Sequence, residues 1–292
     1  MADADGNSQR LAEAYRSHER RWRDNLHVYG VVSRRSRGLS VGIDLNPGRE
    51  CNFDCAYCQV DRRPAPRGPA VDIAALDREL EEILRAERDG SLYADPPFSL
   101  LGAAERGVRD LAFAGNGEPT LYPRLAEAVR SAAAARARFG LDATRLVLLT
   151  NAEYLDRPAV RPALAALYAQ GGEIWAKLDA GSESWFRRVN RARAPLGRIL
   201  GNILEAARSR PLVIQSLWMR LEGADPPVGE IEAYCGRLRD IVAGGGGIRA
   251  VHLYTVARRP AEDAVSPLGP QALESIAAAV RASVPVAVEI FP

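Results

Sequence analysis

Short apolar runs alternate with helical patterns along almost the whole chain, and that alternation constrains the fold more than any other feature. Runs expected as strands cover 40–46, 109–114, 145–150, 173–179, 211–219 and 248–256, with a short edge strand at 286–291. Between them, apolar residues recur at helical spacing over 71–86, 121–138, 157–170, 196–208, 228–242 and 269–283. In the first of these helices Ile73, Leu76, Leu80 and Leu84 share one face, and Asp72 stands where an N-cap belongs. β/α units in strict succession imply parallel strands joined by right-handed crossovers. The strands also alternate in polarity: Val41, Ile43 and Leu45 oppose Ser40, Gly42, Asp44 and Asn46, and Ile174, Ala176 and Leu178 oppose Trp175, Lys177 and Asp179. A doubly wound sheet hides both faces under helices and accommodates such polar groups poorly, whereas a barrel has an inner face that can be polar. Six units fall short of the eight in a full TIM barrel. The expected fold class is therefore α/β, a partial (β/α)6 TIM-type barrel over 39–292, preceded by a basic helix and extended segment over 1–38.

Composition excludes several alternatives. With 292 residues, 47% of them hydrophobic, the chain can bury a substantial core. A net charge of +2 supplies no global field toward nucleic acid. No run of 18 apolar residues exists and Met1–Gly6 has no apolar signal region, so neither a membrane span nor a secretory leader is expected. Four cysteines do not make a disulfide scaffold, and a reducing cytoplasm is the expected location. Of 39 basic residues only Lys177 is a lysine, which marks a position that needs an ammonium and not a guanidinium.

The chemistry concentrates at Cys51-Asn52-Phe53-Asp54-Cys55-Ala56-Tyr57-Cys58. The segment follows the first expected strand at its C-terminal end, the rim where barrels collect reactive groups. Closely spaced thiolates are soft ligands for iron–sulfur or zinc. A structural zinc site takes four protein ligands, and only three are offered here. Cys235 shares a helix face with Ile231, Leu238 and Val242 and is expected in the core. His27 or His252 can complete a zinc site, though neither has finger-type spacing. Three cysteines around a four-iron cluster leave one iron open, whereas electron-transfer clusters use four. The alternative to an enzyme is a non-catalytic zinc or iron–sulfur protein with a structural or interaction role.

The Cys-x3-Cys-x2-Cys spacing, with the aromatic Tyr57 before the last cysteine, resembles the radical S-adenosylmethionine (SAM) superfamily. The resemblance implies a radical SAM enzyme with a [4Fe–4S] cluster on Cys51, Cys55 and Cys58. It also implies SAM bound to the open iron, and reductive cleavage of SAM to a 5′-deoxyadenosyl radical. Gly115-Asn116-Gly117-Glu118 resembles the Gly-Gly-Glu element that holds the methionine amino group. Asn151, at the end of the third strand, and Lys177 are then expected at the methionine carboxylate, and Asp179 at the ribose. Ser216, Trp218 and Arg220 are expected to point inward, as are His252 and Tyr254, as candidates for contacts to the ribose of SAM, Ser216 among them, and to substrate. Adenine is placed near Val256, against Tyr57. Lys177, Tyr254 and Arg220 are the candidates for a role in the reaction on substrate, whether oxidoreductase, transferase or lyase.

Further runs narrow the resemblance to the wyosine-synthase-like branch, which includes tRNA-modifying enzymes. They are Tyr29–Arg35, Cys51–Gln59, Gly115–Pro123, Lys177–Gly181, Val189–Arg191 and Thr255–Glu262. No cysteine precedes Cys51, so the second cluster of the tRNA enzymes is not expected, nor is an added nucleic-acid domain after the last strand. Arg20, Arg21, Arg23, Arg34, Arg35 and Arg37, with Trp22 and Tyr29, form a local basic cluster that can track RNA phosphates. The plainer reading is a solvated face, and a small-molecule substrate is favoured over tRNA. The expected partner is a low-potential electron donor, flavodoxin or ferredoxin.

Overall fold

The computed structural model describes residues 2–17, 22–63 and 70–292, the side chains of 2–8 excepted. The chain divides into two compact units. One comprises Met1–Glu50, Arg67–Leu148 and Ala159–Glu173; the other comprises Cys51–Pro66, Leu149–Pro158 and Ile174–Pro292. Among the described residues no helix is long and apolar enough to cross a membrane.

The first unit opens with α1 (Ala2–Arg16), which lies in the segment expected as a basic helix and extended run over 1–38. The strands β1 (Val28–Ser33) and β2 (Gly38–Ile43) form an antiparallel hairpin, Val28 opposite Ile43 and Ser33 opposite Gly38. Helix α2 (Ile73–Asp89) starts where the sequence places it, because the Asp72 carboxylate accepts from the amides of Ala74 at 3.1 Å and Ala75 at 3.2 Å. Then follow β3 (Val108–Phe113), α3 (Leu125–Arg138), β4 (Arg145–Thr150) and α4 (Arg161–Ala169). Strands β2, β3 and β4 are parallel, with Leu111 beside Val41 on one side and Leu146 on the other. The helices bury their apolar stripes against this sheet. Val41, Leu80, Leu111 and Leu146 are at 0% exposure, worth about 1.5–3 kcal/mol each. One α2 residue also fixes the chain entry to β1: Glu79 accepts from the amides of Leu26, His27 and Val28 at 3.1, 2.7 and 2.9 Å.

The second unit contains β5 (Glu173–Lys177), α5 (Glu183–Val189), α6 (Leu196–Ser209), β6 (Leu212–Leu217) and β7 (Met219–Leu221). It continues with α7 (Val228–Ala243), β8 (Ile248–Tyr254), β9 (Val265–Pro267), α8 (Pro270–Ser283) and β10 (Ala287–Phe291). Strands β5, β6, β8 and β10 lie side by side and parallel, so Lys177, Gln215, His252 and Glu289 stand in one register row. The strand expected over 211–219 is broken at Trp218: its tail becomes β7, which leaves the sheet and pairs antiparallel with β9. Neither α5 nor β9 was expected, because an element of one or two turns, or three residues, carries no readable period. Cys235 lies buried on α7 beside Tyr234 and Leu238, as its spacing indicates.

The loop after β5 is pressed onto α7. The Glu230 carboxylate accepts from the amides of Gly181 at 2.5 Å and Ser182 at 3.2 Å. A side chain at Gly181 would place its Cβ 2.0 Å from the Tyr234 nitrogen and 2.4 Å from the Ala233 carbonyl carbon. These are backbone atoms of a packed helix, so they yield only if α7 moves. Gly181→Ala is expected to destabilise the fold by about 1–3 kcal/mol, read from urea unfolding. An unchanged midpoint would show that α7 is free to shift.

Candidate active site

The cysteine segment has no helix or strand of its own and is held from outside. Cys51, Cys55 and Cys58 are partly exposed and form no disulfide. A turn joins two of them, the Cys58 amide donating to the Cys55 carbonyl at 2.9 Å. The C-terminal end of α5 grips the middle: the Val189 carbonyl accepts from Ala56 at 2.8 Å and the Asn190 carbonyl from Asp54 at 3.3 Å. These are carbonyls that a helix end leaves without internal partners. Phe53 packs edge-on against Phe186 of the same helix, centroids 5.7 Å apart. On the other side the Ala261 amide donates to the Cys58 carbonyl at 2.8 Å, so the segment after β8 returns to this loop.

Side-chain donors reach the sulfurs of Cys55 and Cys58. Asn190 Nδ2 lies 3.6 Å from Cys55 Sγ, and Arg62 Nη2 lies 3.6 Å from Cys58 Sγ. Burial, then the charge of Asp179 and of Cys51, push the Cys55 thiol up to about 12. A metal displaces such a proton on binding. Among the described residues no three His, Cys, Asp or Glu side chains close on one ion.

Next to the loop lies a polar cluster centred on Asp179, which is 1% exposed. Its Oδ2 accepts from the Tyr57 hydroxyl at 2.5 Å and from Asn190 Nδ2 at 2.9 Å. Its Oδ1 accepts from the Leu217 amide at 2.9 Å and pairs with Lys177 Nζ at 3.3 Å. Lys177 also donates to the Tyr254 hydroxyl at 2.7 Å and stands 4.8 Å from the centre of the Tyr57 ring. Burial alone would pull the Lys177 ammonium down, but Asp179 and Tyr254 outweigh it and leave the group firmly protonated. Burial and the Asp179 charge likewise keep the Tyr57 hydroxyl protonated, so it remains a donor. Asp179 thus serves the chain's own donors.

The other residues singled out make contacts of their own within the chain. Ser216 is fully buried, donates to the Leu178 carbonyl at 2.6 Å and pairs with the Tyr234 hydroxyl of α7. Trp218 packs edge-on against Tyr234, centroids 5.2 Å apart. Arg220 is carried off by β7, exposed, and bound to Asp225 at 2.9 Å and to the Gly223 carbonyl at 2.8 Å. Its expected inward place in the strand is lost because β6 ends at Leu217. His252 sits edge-on to Trp175 and to Phe291, each 5.2 Å away, as an aromatic-packed residue. Asn151 donates to Asn52 Oδ1 at 2.7 Å, and Asn52 donates to Glu153 Oε2 at 2.6 Å, so Asn151 steadies the cysteine segment itself. Val256 follows β8 in the segment that returns to Cys58. Arg20 and Arg21 lie outside the described residues.

In the first unit, the Gly115–Glu118 turn packs on the end of β2. Asn116 donates its amide to Asp44 Oδ1 at 3.2 Å and its Nδ2 to Oδ2 at 2.6 Å. The Glu118 amide donates to the carbonyl of Glu50, the residue before Cys51, at 3.0 Å. A Cβ on Gly117 would lie 1.9 Å from that same carbonyl oxygen, so glycine is required there by the chain's own backbone. Glu118 is buried and accepts from the Thr120 amide at 3.1 Å and hydroxyl at 2.6 Å.

Two residues that touch the cysteines, Asn190 and Arg62, had no role assigned from the sequence. Arg62 lies four residues after Cys58, and that spacing was the available signal. Asn190 is 135 residues from Cys55 and reaches it only through tertiary contact.

Comparison with known proteins places these observations. The model of the radical SAM superfamily matches residues 45–217. A UPF0026 protein of Helicobacter pylori is 28% identical over 190 residues, covering 64% of this chain and 53% of that protein. The chain spans about half the length of the curated relatives it matches. A radical SAM methyltransferase from Sphaerobacter thermophilus superposes with a TM-score of 0.63 at 14% identity, covering 90% of this chain and 68% of that one. TYW1, solved with a lysine–pyruvate adduct bound, gives 0.53 at 13% identity, covering 93% and 80%. These likenesses concern the fold, which is the α/β partial barrel that the strand alternation predicts.

Removing the central carboxylate tests the site's internal wiring. Asp179→Ala leaves a buried ammonium and three further donors without their acceptor, and it is expected to cost about 3–5 kcal/mol in urea unfolding. Tyr57→Phe removes one bond to a charged acceptor and is expected to cost about 1.5–3 kcal/mol. Equal effects of the two variants would show that Asp179 is not the common acceptor.

Proposed function

Because this chain belongs to the radical SAM superfamily and is an enzyme of that class, we propose that Cys51, Cys55 and Cys58 hold a [4Fe–4S] cluster with one open iron that binds SAM. The observation that carries this reading is the donor set: three thiols on one externally braced loop, with two side-chain donors aimed at two of the sulfurs. Hydrogen bonds to sulfur are characteristic of iron–sulfur sites. Among the described residues Asn190 Oδ1, on a residue 2% exposed, has no hydrogen-bond partner, which fits a wall built to face a bound group. When bound, cluster and SAM supply reductive cleavage of a carbon–sulfur bond of SAM and a 5′-deoxyadenosyl radical that abstracts hydrogen from substrate.

The chain's own residues bind and orient. Lys177, held cationic by Asp179 and steered by Tyr254, presents an ammonium suited to a carboxylate, that of SAM or of substrate. A lysine kept protonated in this way is a poor amine nucleophile, so a role in ion pairing is favoured over imine formation. Asp179 is a positioning residue that fixes Tyr57, Asn190 and Lys177. Tyr57 presents its ring toward adenine together with Val256, and Asn151 holds Asn52 and the cysteine loop in place. The Gly115-Asn116-Gly117-Glu118 turn and its buried carboxylate receive the methionine amino group, by resemblance to the superfamily element. Ser216 supports β6 through Leu178 and Tyr234. Tyr254 is the remaining candidate for contact with substrate, since Arg220 is bound on β7.

Radical SAM enzymes generally need an external reductant, and a flavodoxin or ferredoxin is the proposed donor. A small-molecule substrate is favoured over RNA because described members of the basic cluster are engaged within the chain. Arg23 stacks on Trp22 at 4.5 Å, and the charge of Arg35 acts on the buried Asp110.

Reconstituted protein is expected to hold iron and sulfide and, when reduced, to convert SAM to 5′-deoxyadenosine. Alanine at Cys51, Cys55 or Cys58 is expected to abolish both, and Cys235→Ala to spare both. Zinc without sulfide in the wild type, or full SAM cleavage by Cys55→Ala, would refute the assignment. Lys177→Met is expected to weaken SAM binding at least about tenfold, the loss of one charge-assisted contact. Salt-dependent binding of tRNA with micromolar affinity would overturn the preference for a small molecule.

A further inference from the structure

The donors that reach the sulfurs of Cys55 and Cys58 differ in charge. Asn190 offers Cys55 an amide, whereas Arg62 offers Cys58 a guanidinium. They come from different segments, the turn after α5 and the tail of the cysteine loop, so each sulfur is addressed separately. Arg62 is half-buried, and its charge feels all three thiols: burial opposes the cation, but Cys51, Cys58 and Cys55 outweigh it and hold it charged. The next residue is a natural control. Arg63 is 82% exposed at its side chain and paired with Asp61 at 2.8 Å, so its charge is screened by solvent and neutralised by a neighbour.

We propose that Arg62 is a positioning residue for electron entry, the cation that sets the reduction potential of the cluster held by Cys51, Cys55 and Cys58. The inference rests on the cluster reading above. Three thiolates outweigh the positive charge of an iron–sulfur core, and reduction adds one more negative charge. A fixed cation stabilises the reduced state more than the oxidised one, and it does so most strongly where water is excluded. The electron comes from an external low-potential one-electron donor. No bond is made or broken in this step, and no proton moves, because the guanidinium stays charged throughout. Arg62 thereby brings a strongly reducing site within reach of that donor, while the neutral Asn190 orients Cys55 without altering the charge balance.

The test is an EPR-monitored redox titration of the reconstituted full chain, with iron and sulfide analysis, on wild type and on R62K, R62Q, R62L and R63Q. R62Q and R62L are expected to keep wild-type iron and sulfide. Their reduction equilibrium should shift at least tenfold toward the oxidised state, which for one electron is about 59 mV more negative. R62K, which keeps the charge, should stay within threefold of wild type, and R63Q should match it. Loaded R62Q and R62L with the wild-type midpoint would overturn the proposal, as would an R62K shift as large as that of R62Q. Failure of the neutral variants to load would assign Arg62 to cluster assembly instead and overturn the tuning role. A wild type without iron and sulfide would sink the cluster reading itself, a result distinct from any of these.

Discussion

Asp179 is almost completely removed from water, yet it carries a charge, and the second unit is arranged around that fact. An isolated buried carboxylate would be expensive, so it is surrounded by an ammonium, a phenol, an amide side chain and a backbone amide. Each donor sits on a different segment: Lys177 on β5, Tyr57 on the cysteine loop, Asn190 after α5, and the Leu217 amide at the end of β6. One carboxylate thus ties the rim of two strands to the loop that carries the thiols. It also gives a physical reason for the single lysine of the sequence to stand here. A compact ammonium can pair with Asp179, donate to Tyr254 and lie over the Tyr57 ring, and a planar guanidinium does not fit those three directions equally.

The cysteine loop itself has little internal structure, so its rigidity is borrowed. The end of α5 supplies free carbonyls, Phe186 supplies an apolar anchor, and the segment after β8 supplies an amide. Rigidity of this kind suits the reaction class, because radical chemistry depends on holding reactive groups apart from water and from the wrong partners. The surrounding charges are then the remaining variable. The donor at Cys55 is a neutral amide and the donor at Cys58 a guanidinium, so the two sulfurs stand in different electrostatic surroundings.

Much of this arrangement is legible in the sequence. The strand and helix runs are found within a few residues of their expected bounds, because core-facing strands and amphipathic helices print their periods directly into sequence. The triple-cysteine spacing, the Gly-Asn-Gly-Glu turn and the lone lysine were also visible. Other expectations depended on extrapolating a strand beyond its end. Arg220 and Trp218 were read as continuing the inward face of the strand over 211–219, but the backbone departs at Trp218 and pairs β7 with β9. A three-residue strand has too few positions to announce itself. Ser216 has the right parity for its strand, and only the position of Tyr234 on α7 shows that its hydroxyl is taken up in packing.

The sequence by itself determined the class of fold and the chemistry offered, since both follow from local pattern: alternating periods for the β/α units and three thiols within eight residues for the ligand set. Tertiary structure decided which distant side chains meet those thiols, while Arg62 reaches Cys58 from only four residues away. Asn190 and Asp179 stand more than a hundred residues from the cysteine loop, and Leu217 joins Asp179 only because β5 and β6 lie side by side. Contacts of that kind depend on how distant segments pack, and no local spacing encodes them.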